Sequence, residues 1–142
     1  MSIKEHELYG TILATGPFKE HNFFFEIQVG DWTVSRKRID LVTKTNNQLI
    51  GIEVKVADWK TSLKQAYSNL FAVDYSYVAV WHDTIPKMNL NIFDEFGIGV
   101  LAVNDTCDVI QKARKSHLTV KEKKKYVKKQ CEIQEILLCQ NS

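Results

Sequence analysis

The sequence predicts an α/β domain with a mixed central sheet and the element order αβββαβ. The stretch 38–55, RIDLVTKTNNQLIGIEVK, reads as two strands joined by a polar turn at 44–48. A segment with helical periodicity follows at 57–73, and a strand rich in aromatic and β-branched residues follows at 75–81. A strand, a crossover helix and a strand imply a parallel pair, so a hairpin beside such a pair predicts a mixed sheet.

The remaining elements complete this order at both ends. A helix is predicted at about 2–14, ended by Gly16 and Pro17, and a first strand at 23–29. After the crossover we predict a short helix at 89–96, a buried strand at 98–103 and an edge strand at 109–110. The chain is expected to form one domain over 1–142, with a core at about 1–112 and an added C-terminal helix at about 119–139.

Two helices carry further local signals. Asp58 is the expected N-cap of the crossover helix. Its apolar face should pack on the sheet through Leu63, Ala66, Tyr67 and Leu70. In the C-terminal helix, Thr119 and Glu122 have the spacing of a capping box.

Composition narrows the functional classes. The chain has 142 residues, 44% of them hydrophobic, and a net charge of +2, which suits a single globular domain. Three cysteines without paired spacing predict reduced thiols and an intracellular, cytoplasmic protein. No apolar run is long enough to cross a bilayer, so no membrane partner is expected.

The charged residues of the hairpin point to metal chemistry. Asp40 interrupts an apolar strand, and Glu53 and Lys55 alternate with apolar neighbours so that they share one face of the next strand. If the strands pair, Asp40 approaches Glu53. Two such carboxylates could hold Mg²⁺ and polarise a phosphodiester, while Lys55 orients water or offsets charge on the phosphate. The alternative is an ordinary surface hairpin with an alternating Glu and Lys.

The pattern Asp40…Glu53-Val54-Lys55 resembles the PD-(D/E)xK nuclease superfamily, which includes many restriction endonucleases and archaeal Holliday-junction resolvases. The resemblance covers roughly the first 105 residues as an order of elements, and Ile39 stands where the family usually has proline. It implies a restriction-endonuclease-like core and a nuclease that hydrolyses DNA with Mg²⁺ or Mn²⁺. Asp40 and Glu53 would be the metal ligands and Lys55 the catalytic helper.

The same resemblance implies two supporting groups. Members often carry a glutamate on the first helix, which Glu5 matches, with Glu7 as the rival position. Many also carry a glutamine on the crossover helix near the catalytic lysine, which Gln65 matches. Glu26 either faces this site or pairs with a nearby arginine.

DNA is the expected partner, and RNA is not excluded. Nine of the 19 Lys and Arg residues lie between Lys112 and Lys129, a cluster that suits a polyanion or a solvated helix face. The candidate phosphate contacts lie before Asp40, on the crossover helix and in the tail: Arg36, Arg38, Lys60, Lys64, Lys124, Lys125 and Lys128.

The second half of the tail is apolar and predicts a different contact. Ile133, Ile136, Leu137 and Leu138 should pack on the domain or on a second copy of the chain, which would make a homodimer. Two alternatives to the nuclease therefore stand: a nucleic-acid-binding protein without catalysis, and an assembly subunit.

Overall fold

The computed structural model describes residues 3–30 and 37–140, with side chains to residue 138. Within these ranges a six-stranded sheet carries four α-helices and one 3₁₀ helix. The strands are β1 Phe23–Gln28, β2 Arg38–Thr45, β3 Gln48–Lys55, β4 Tyr75–Trp81, β5 Gly99–Val103 and β6 Cys107–Gln111. The helices are α1 Glu5–Thr15, α2 Trp59–Asn69, α3 Leu90–Glu95 and α4 Lys121–Gln140, with the 3₁₀ helix at His82–Lys87.

The sheet is mixed, as predicted. Its strands lie in chain order from β1 to β6. The pairs β1–β2, β2–β3 and β5–β6 are antiparallel, whereas β3–β4 and β4–β5 are parallel. The α/β class and the αβββαβ order are therefore confirmed, with β5, α3, β6 and α4 as additions.

The β2–β3 hairpin is tighter than the sequence predicts. Only Asn46 and Asn47 separate the two strands, and both have left-handed backbones with φ of 48° and 67°. Two consecutive positive φ values define the turn that matches the right-handed twist of paired strands, and asparagine tolerates this conformation well. The turn fixes the register that brings the N-terminal part of β2 opposite the end of β3.

Helices cover both faces of the sheet. On one face, α1 packs Leu8 and Ile12 against Leu41 and Ile52. The opposite face is covered by α2 and α3, through residues such as Ala66 and Phe93, and by α4. Because β3 is buried on both sides, the alternative of an ordinary surface hairpin does not describe this strand.

Two predicted helix contacts differ from the structure. Tyr67 is 37% exposed, and α2 instead buries Ser62 and Asn69 beside Ala66. Helix α4 begins at Lys121, and the Lys124 N–H donates to the Val120 carbonyl at 3.0 Å, so Thr119 is one residue too early to cap the helix in the predicted capping box. The Thr119 hydroxyl instead donates to the Val73 carbonyl at 2.7 Å. In both cases a polar side chain bonds to a distant part of the fold, Asn69 to Glu53 and Thr119 to Val73. Helical periodicity and cap spacing do not predict such contacts. The N-cap role of Asp58 is confirmed, since its carboxylate accepts from the Thr61 amide at 3.2 Å.

Helix α4 closes the β1 edge of the sheet. Its residues Val127 and Cys131 are fully buried and belong to the same apolar cluster as Phe24 and Ile27 of β1. The side-chain amide of Gln134 accepts from the Phe25 N–H at 2.8 Å and donates to the Phe25 carbonyl at 2.9 Å.

The apolar end of α4 packs on the domain only in part. Ile133 and Leu137 line a groove with Phe25 and Ile27 of β1. The predicted contact with the domain is incomplete, because the four apolar residues are between 41% and 58% exposed: Ile133, Ile136, Leu137 and Leu138. No helix in the described ranges is long and apolar enough to cross a membrane.

Candidate functional site

Two acidic side chains join β2 and β3 where the backbone ladder stops. The last recorded pair between the strands is Leu41 with Ile52. Beyond it, the Asp40 carboxylate accepts from the Val54 N–H at 2.8 Å, and the Glu53 carboxylate accepts from the Asp40 N–H at 3.2 Å. Each acid therefore takes the place of a ladder carbonyl, and the two side chains meet between the separating strands.

Helix α2 supplies a third member of this site. Asn69 is fully buried, and its amide nitrogen donates to Glu53 Oε2 at 3.1 Å. The amide oxygens of Asn69 and of Gln65, one turn earlier, are buried without a hydrogen-bond partner in the described part of the chain. Buried polar atoms usually have a partner. These two oxygens are therefore acceptors on α2 whose hydrogen-bonding capacity is unused.

The buried acids hold protons tightly. Glu53 is only 1% exposed. Burial, followed by the neighbouring Asp40 charge, raises its pKa from 4.5 to about 7, although hydrogen bonds from Asn69 and the Asp40 backbone oppose the rise. Burial also raises the pKa of Asp40. Near neutral pH the pair thus lies close to the boundary between one negative charge and two.

Lys55 reaches the site from the end of β3. Its ammonium lies 3.6 Å from a carboxylate oxygen of Glu5 on α1. The Lys55 charge also acts to lower the pKa of Asp40, which burial raises. Of the two rival glutamates on the first helix, Glu5 therefore faces the acidic pair, while Glu7 is exposed.

Tyr9 is a residue of the site that was not predicted from the sequence. Tyr9 lies one helical turn after Glu5, and its phenol is half-buried. Burial and then the charges of Asp40, Glu5, Glu26 and Glu53 raise its pKa, which keeps the phenol protonated. The sequence signal for Tyr9 was its i+4 spacing from Glu5.

Glu26 joins this acidic surface through an irregular strand. Its φ of 53° is in the left-handed region, and β1 buries both Phe24 and Ile27 in one cluster although they are three residues apart. The charge of Glu26 raises the pKa of Asp40, and the Glu26 side chain also lines a groove with Arg38 and α4. The regular alternation of side chains along a strand does not predict this irregularity in β1.

Lys37 lies on the α2 side of the pair. Its ammonium donates to the Gln65 carbonyl at 3.1 Å. Burial lowers the pKa of Lys37, and the Glu53 charge opposes this. A cation other than Lys55 therefore contributes to the field at Glu53.

The donor set fits a cation that keeps much of its own water. Among the described residues, no three His, Cys, Asp or Glu side chains are arranged to hold a metal ion. The recorded hydrogen bonds engage Oδ2 of Asp40 and Oε2 of Glu53, which leaves Oδ1 and Oε1 as candidate ligands. Mg²⁺ is commonly bound through one or two carboxylates, with water completing its shell. Hard oxygen donors at this site suit Mg²⁺ or Mn²⁺ better than a softer metal.

The predicted phosphate contacts are spread over several surfaces. Arg36 lies outside the described residues, and Arg38 is exposed at the start of β2. On α2, Lys60 lies over the Trp59 ring at 5.7 Å, and Lys64 is exposed.

The lysines of α4 divide into two kinds. Lys124 forms a 2.8 Å ion pair with the buried Asp74. Lys125 and Lys128, with Lys129, line a shallow groove of about 280 Å³. Lys124 therefore has a structural contact, whereas Lys125, Lys128 and Lys129 lie on an open groove.

Comparisons with known proteins identify the fold and no function. Neither a protein-family model nor a curated protein matches the sequence. Among solved structures, a protein of unknown function from Silicibacter pomeroyi is similar, with a TM-score of 0.71 and 12% sequence identity. The match covers 99% of this chain and 92% of the other.

Proposed function

We propose that this chain is a metal-dependent nuclease that hydrolyses phosphodiester bonds of DNA, with a restriction-endonuclease-like core of the PD-(D/E)xK kind. One observation carries the proposal. Asp40 and Glu53 exchange hydrogen bonds with opposite strands where the β2–β3 ladder ends, and Lys55 follows on the same strand. A surface hairpin has no need of two acids buried together at a cost in desolvation.

Each side chain has a task in this proposal. Asp40 and Glu53 would hold Mg²⁺ or Mn²⁺, which when bound polarises the phosphate and lowers the pKa of a bound water. Asn69 orients the Glu53 carboxylate through its 3.1 Å hydrogen bond. Gln65 supports the same side of the pair.

Lys55 would offset charge that develops on the phosphate. Glu5 keeps the ammonium at the site through their 3.6 Å ion pair. Because Glu53 has a pKa of about 7, protons compete with a cation for this carboxylate near neutrality. Metal loading, and with it cleavage, should therefore increase with pH up to about 8.

The main alternative is a nucleic-acid-binding protein that does not cleave. It is favoured by the exposed lysines of α4, which need no catalytic centre to bind a polyanion. The assembly-subunit alternative and a homodimer both draw on the exposed apolar end of α4, where Leu138 is 58% exposed. The unpaired thiols of Cys107 and Cys131 support an intracellular location.

Two substitutions separate the enzyme from the binder. Lys55→Ala removes a cation and leaves both carboxylates. Cleavage should fall by roughly 100-fold or more, which is the usual effect of losing one group that stabilises charge in the transition state. DNA binding should remain. Glu53→Ala should lose cleavage and most of the metal affinity. Cleavage of duplex, single-stranded and branched DNA and of RNA is measured with Mg²⁺, Mn²⁺ and EDTA, and metal affinity by calorimetry.

The controls decide between the candidates. Glu20→Gln changes an exposed acid away from the site and should leave cleavage and metal affinity unchanged. Cleavage caused by a contaminating nuclease would be unchanged by all three substitutions. Wild-type protein that binds one of these nucleic acids tightly but cleaves none with either metal would contradict the enzyme and favour the binder.

The lysines of α4 are tested by salt. Replacing Lys125, Lys128 and Lys129 with Gln should flatten the dependence of log affinity on log salt by about two to three for duplex DNA, at roughly 0.9 for each phosphate contact. Lys124 is left in place because of its pair with Asp74. An unchanged slope would assign these three lysines to a solvated face.

A further inference from the structure

We infer that the outward side of α2 carries a second nucleic-acid contact, a preformed surface that stacks the unpaired bases of a single strand. Three aromatic rings form its centre, here called the aromatic row. Tyr67 meets Phe96 edge to face at 5.0 Å and 68°, and meets Phe71 at 5.9 Å and 77°. Tyr67 is 37% exposed and Phe96 is 44% exposed.

The aromatic row lies apart from the acidic pair. Gln65 and Asn69 are one turn apart on α2 and line the side of the helix toward Glu53. Tyr67 is two residues from each, which at 100° per residue places it on the opposite side of the helix. The aromatic row is therefore separate from the proposed catalytic centre and needs neither its carboxylates nor a metal.

A groove of about 420 Å³ opens beside Phe96. Its walls combine that ring with apolar side chains, including Leu70 and Leu118, and with the cationic residues Arg114 and Lys115. Its size is within the range of sites that take small molecules, roughly 300–1,000 Å³. A flat base fits such a slot with its face against an aromatic ring.

Cations lie at both ends of the aromatic row. The Lys123 ammonium lies 5.8 Å from the centre of the Phe71 ring. At the other end, Lys115 is exposed on the groove, and Arg114 is held by Asp94 through a 2.9 Å ion pair. Glu95 is the acid among the groove residues. Surfaces that bind single strands combine aromatic rings for the bases with cations that follow the phosphates.

The segment that forms the groove wall is fixed before any ligand arrives. The Arg114 N–H donates to the Gly97 carbonyl at 2.9 Å, and the Ser116 N–H donates to the Asp74 carbonyl at 2.7 Å. The Ser116 hydroxyl also donates to the Leu70 carbonyl at 2.7 Å. A wall ordered in advance lowers the entropy lost when a ligand binds.

The charges favour a nucleic acid over a protein partner. Protein interfaces also use Tyr, Phe and Arg, but lysine is depleted in them. Here Lys115 and Lys123 flank the aromatic row, and Lys64 lies one turn before Tyr67 on α2. Exposed aromatic rings interleaved with lysines are typical of sequence-tolerant single-strand binding.

The test measures binding of a fluorescein-labelled twelve-nucleotide oligothymidylate to the whole protein in EDTA, by anisotropy. Tyr67→Ala and Phe96→Ala should each weaken binding by roughly 5- to 100-fold, the effect of losing one stacked base. Tyr67→Phe keeps the ring and should bind like wild type. Duplex binding should change less than twofold in all three variants.

A second measurement does not depend on the stability of the alanine variants. Phe96→Trp keeps an aromatic face, and its added indole emission should be quenched when the oligonucleotide binds, beyond any response of wild type. Unchanged emission would overturn the inference, as would wild-type protein that does not bind the oligonucleotide. Alanine variants that bind it like wild type, or that weaken duplex binding equally, would also overturn it. Dissociation of a wild-type dimer by these variants would make the aromatic row an interface between copies.

Discussion

Glu53→Gln should stabilise the protein at pH 8. The carboxylate is buried, and its pKa rises from 4.5 to about 7 through burial and the neighbouring Asp40 charge. This rise corresponds to roughly 3 kcal/mol between the two protonation states, at about 1.4 kcal/mol for each pH unit. Glutamine is neutral at every pH and still offers one oxygen to the two donors that Glu53 Oε2 serves, Asn69 and the Asp40 N–H.

The pH dependence has a definite sign. Because the folded state binds the proton more tightly than the unfolded state, Glu53 stabilises the fold fully below about pH 4.5. This contribution is lost as the pH rises toward 7 and is absent above it. The variant and wild type should therefore be similar near pH 4.5 and should differ by about 3 kcal/mol at pH 8.

The assay is urea unfolding in EDTA at pH 5, 6, 7 and 8, followed by tryptophan fluorescence. Trp59 packs against Phe93 with 6.1 Å between ring centroids, so its emission reports loss of this packing. Glu20→Gln is the matched control and should leave the pH dependence unchanged. A Glu53→Gln variant less stable than wild type at pH 8, or a difference that does not vary with pH, would refute the reasoning.

Two other substitutions test neighbouring contacts. Asn69→Ala removes a hydrogen bond that lowers the pKa of Glu53. The pH midpoint of Mg²⁺ binding, measured by calorimetry, should therefore move upward. An unchanged midpoint would contradict this role of Asn69. Lys124→Gln leaves the buried Asp74 without its cation and should lower the free energy of unfolding by about 2 kcal/mol. Lys125→Gln is the control and should change this free energy by less than about 0.5 kcal/mol. Equal effects of the two substitutions in urea unfolding would contradict the structural role of Lys124.

Local periodicity was sufficient for the order of elements and for the acidic pair. Asp40 and Glu53 stand out because each interrupts an apolar strand, and a hairpin brings the two strands together. The crossover helix follows from its apolar spacing and its Asp58 cap. These signals depend on neighbours within a few residues.

The features that were not predicted from the sequence depend on contacts between distant elements. Helical spacing places Tyr67 beside Ala66 and Leu70, but only the assembled fold decides that Asn69 is buried in its place against Glu53. For Glu26 the sequence left two roles open, at the site or beside an arginine, and it did not predict the left-handed backbone of this residue within β1.

Gln134 also bears on aggregation. A strand at the edge of a sheet exposes a row of N–H and C=O groups on which another chain can add a strand. Here a side-chain amide occupies both groups of Phe25, so α4 shields this part of the edge without being a strand. Proteolysis that removes the end of α4 would turn this shielded edge into a template for intermolecular strand addition. The exposed apolar residues of the same helix, such as Ile136 and Leu137, are therefore carried on the segment that keeps the sheet from growing.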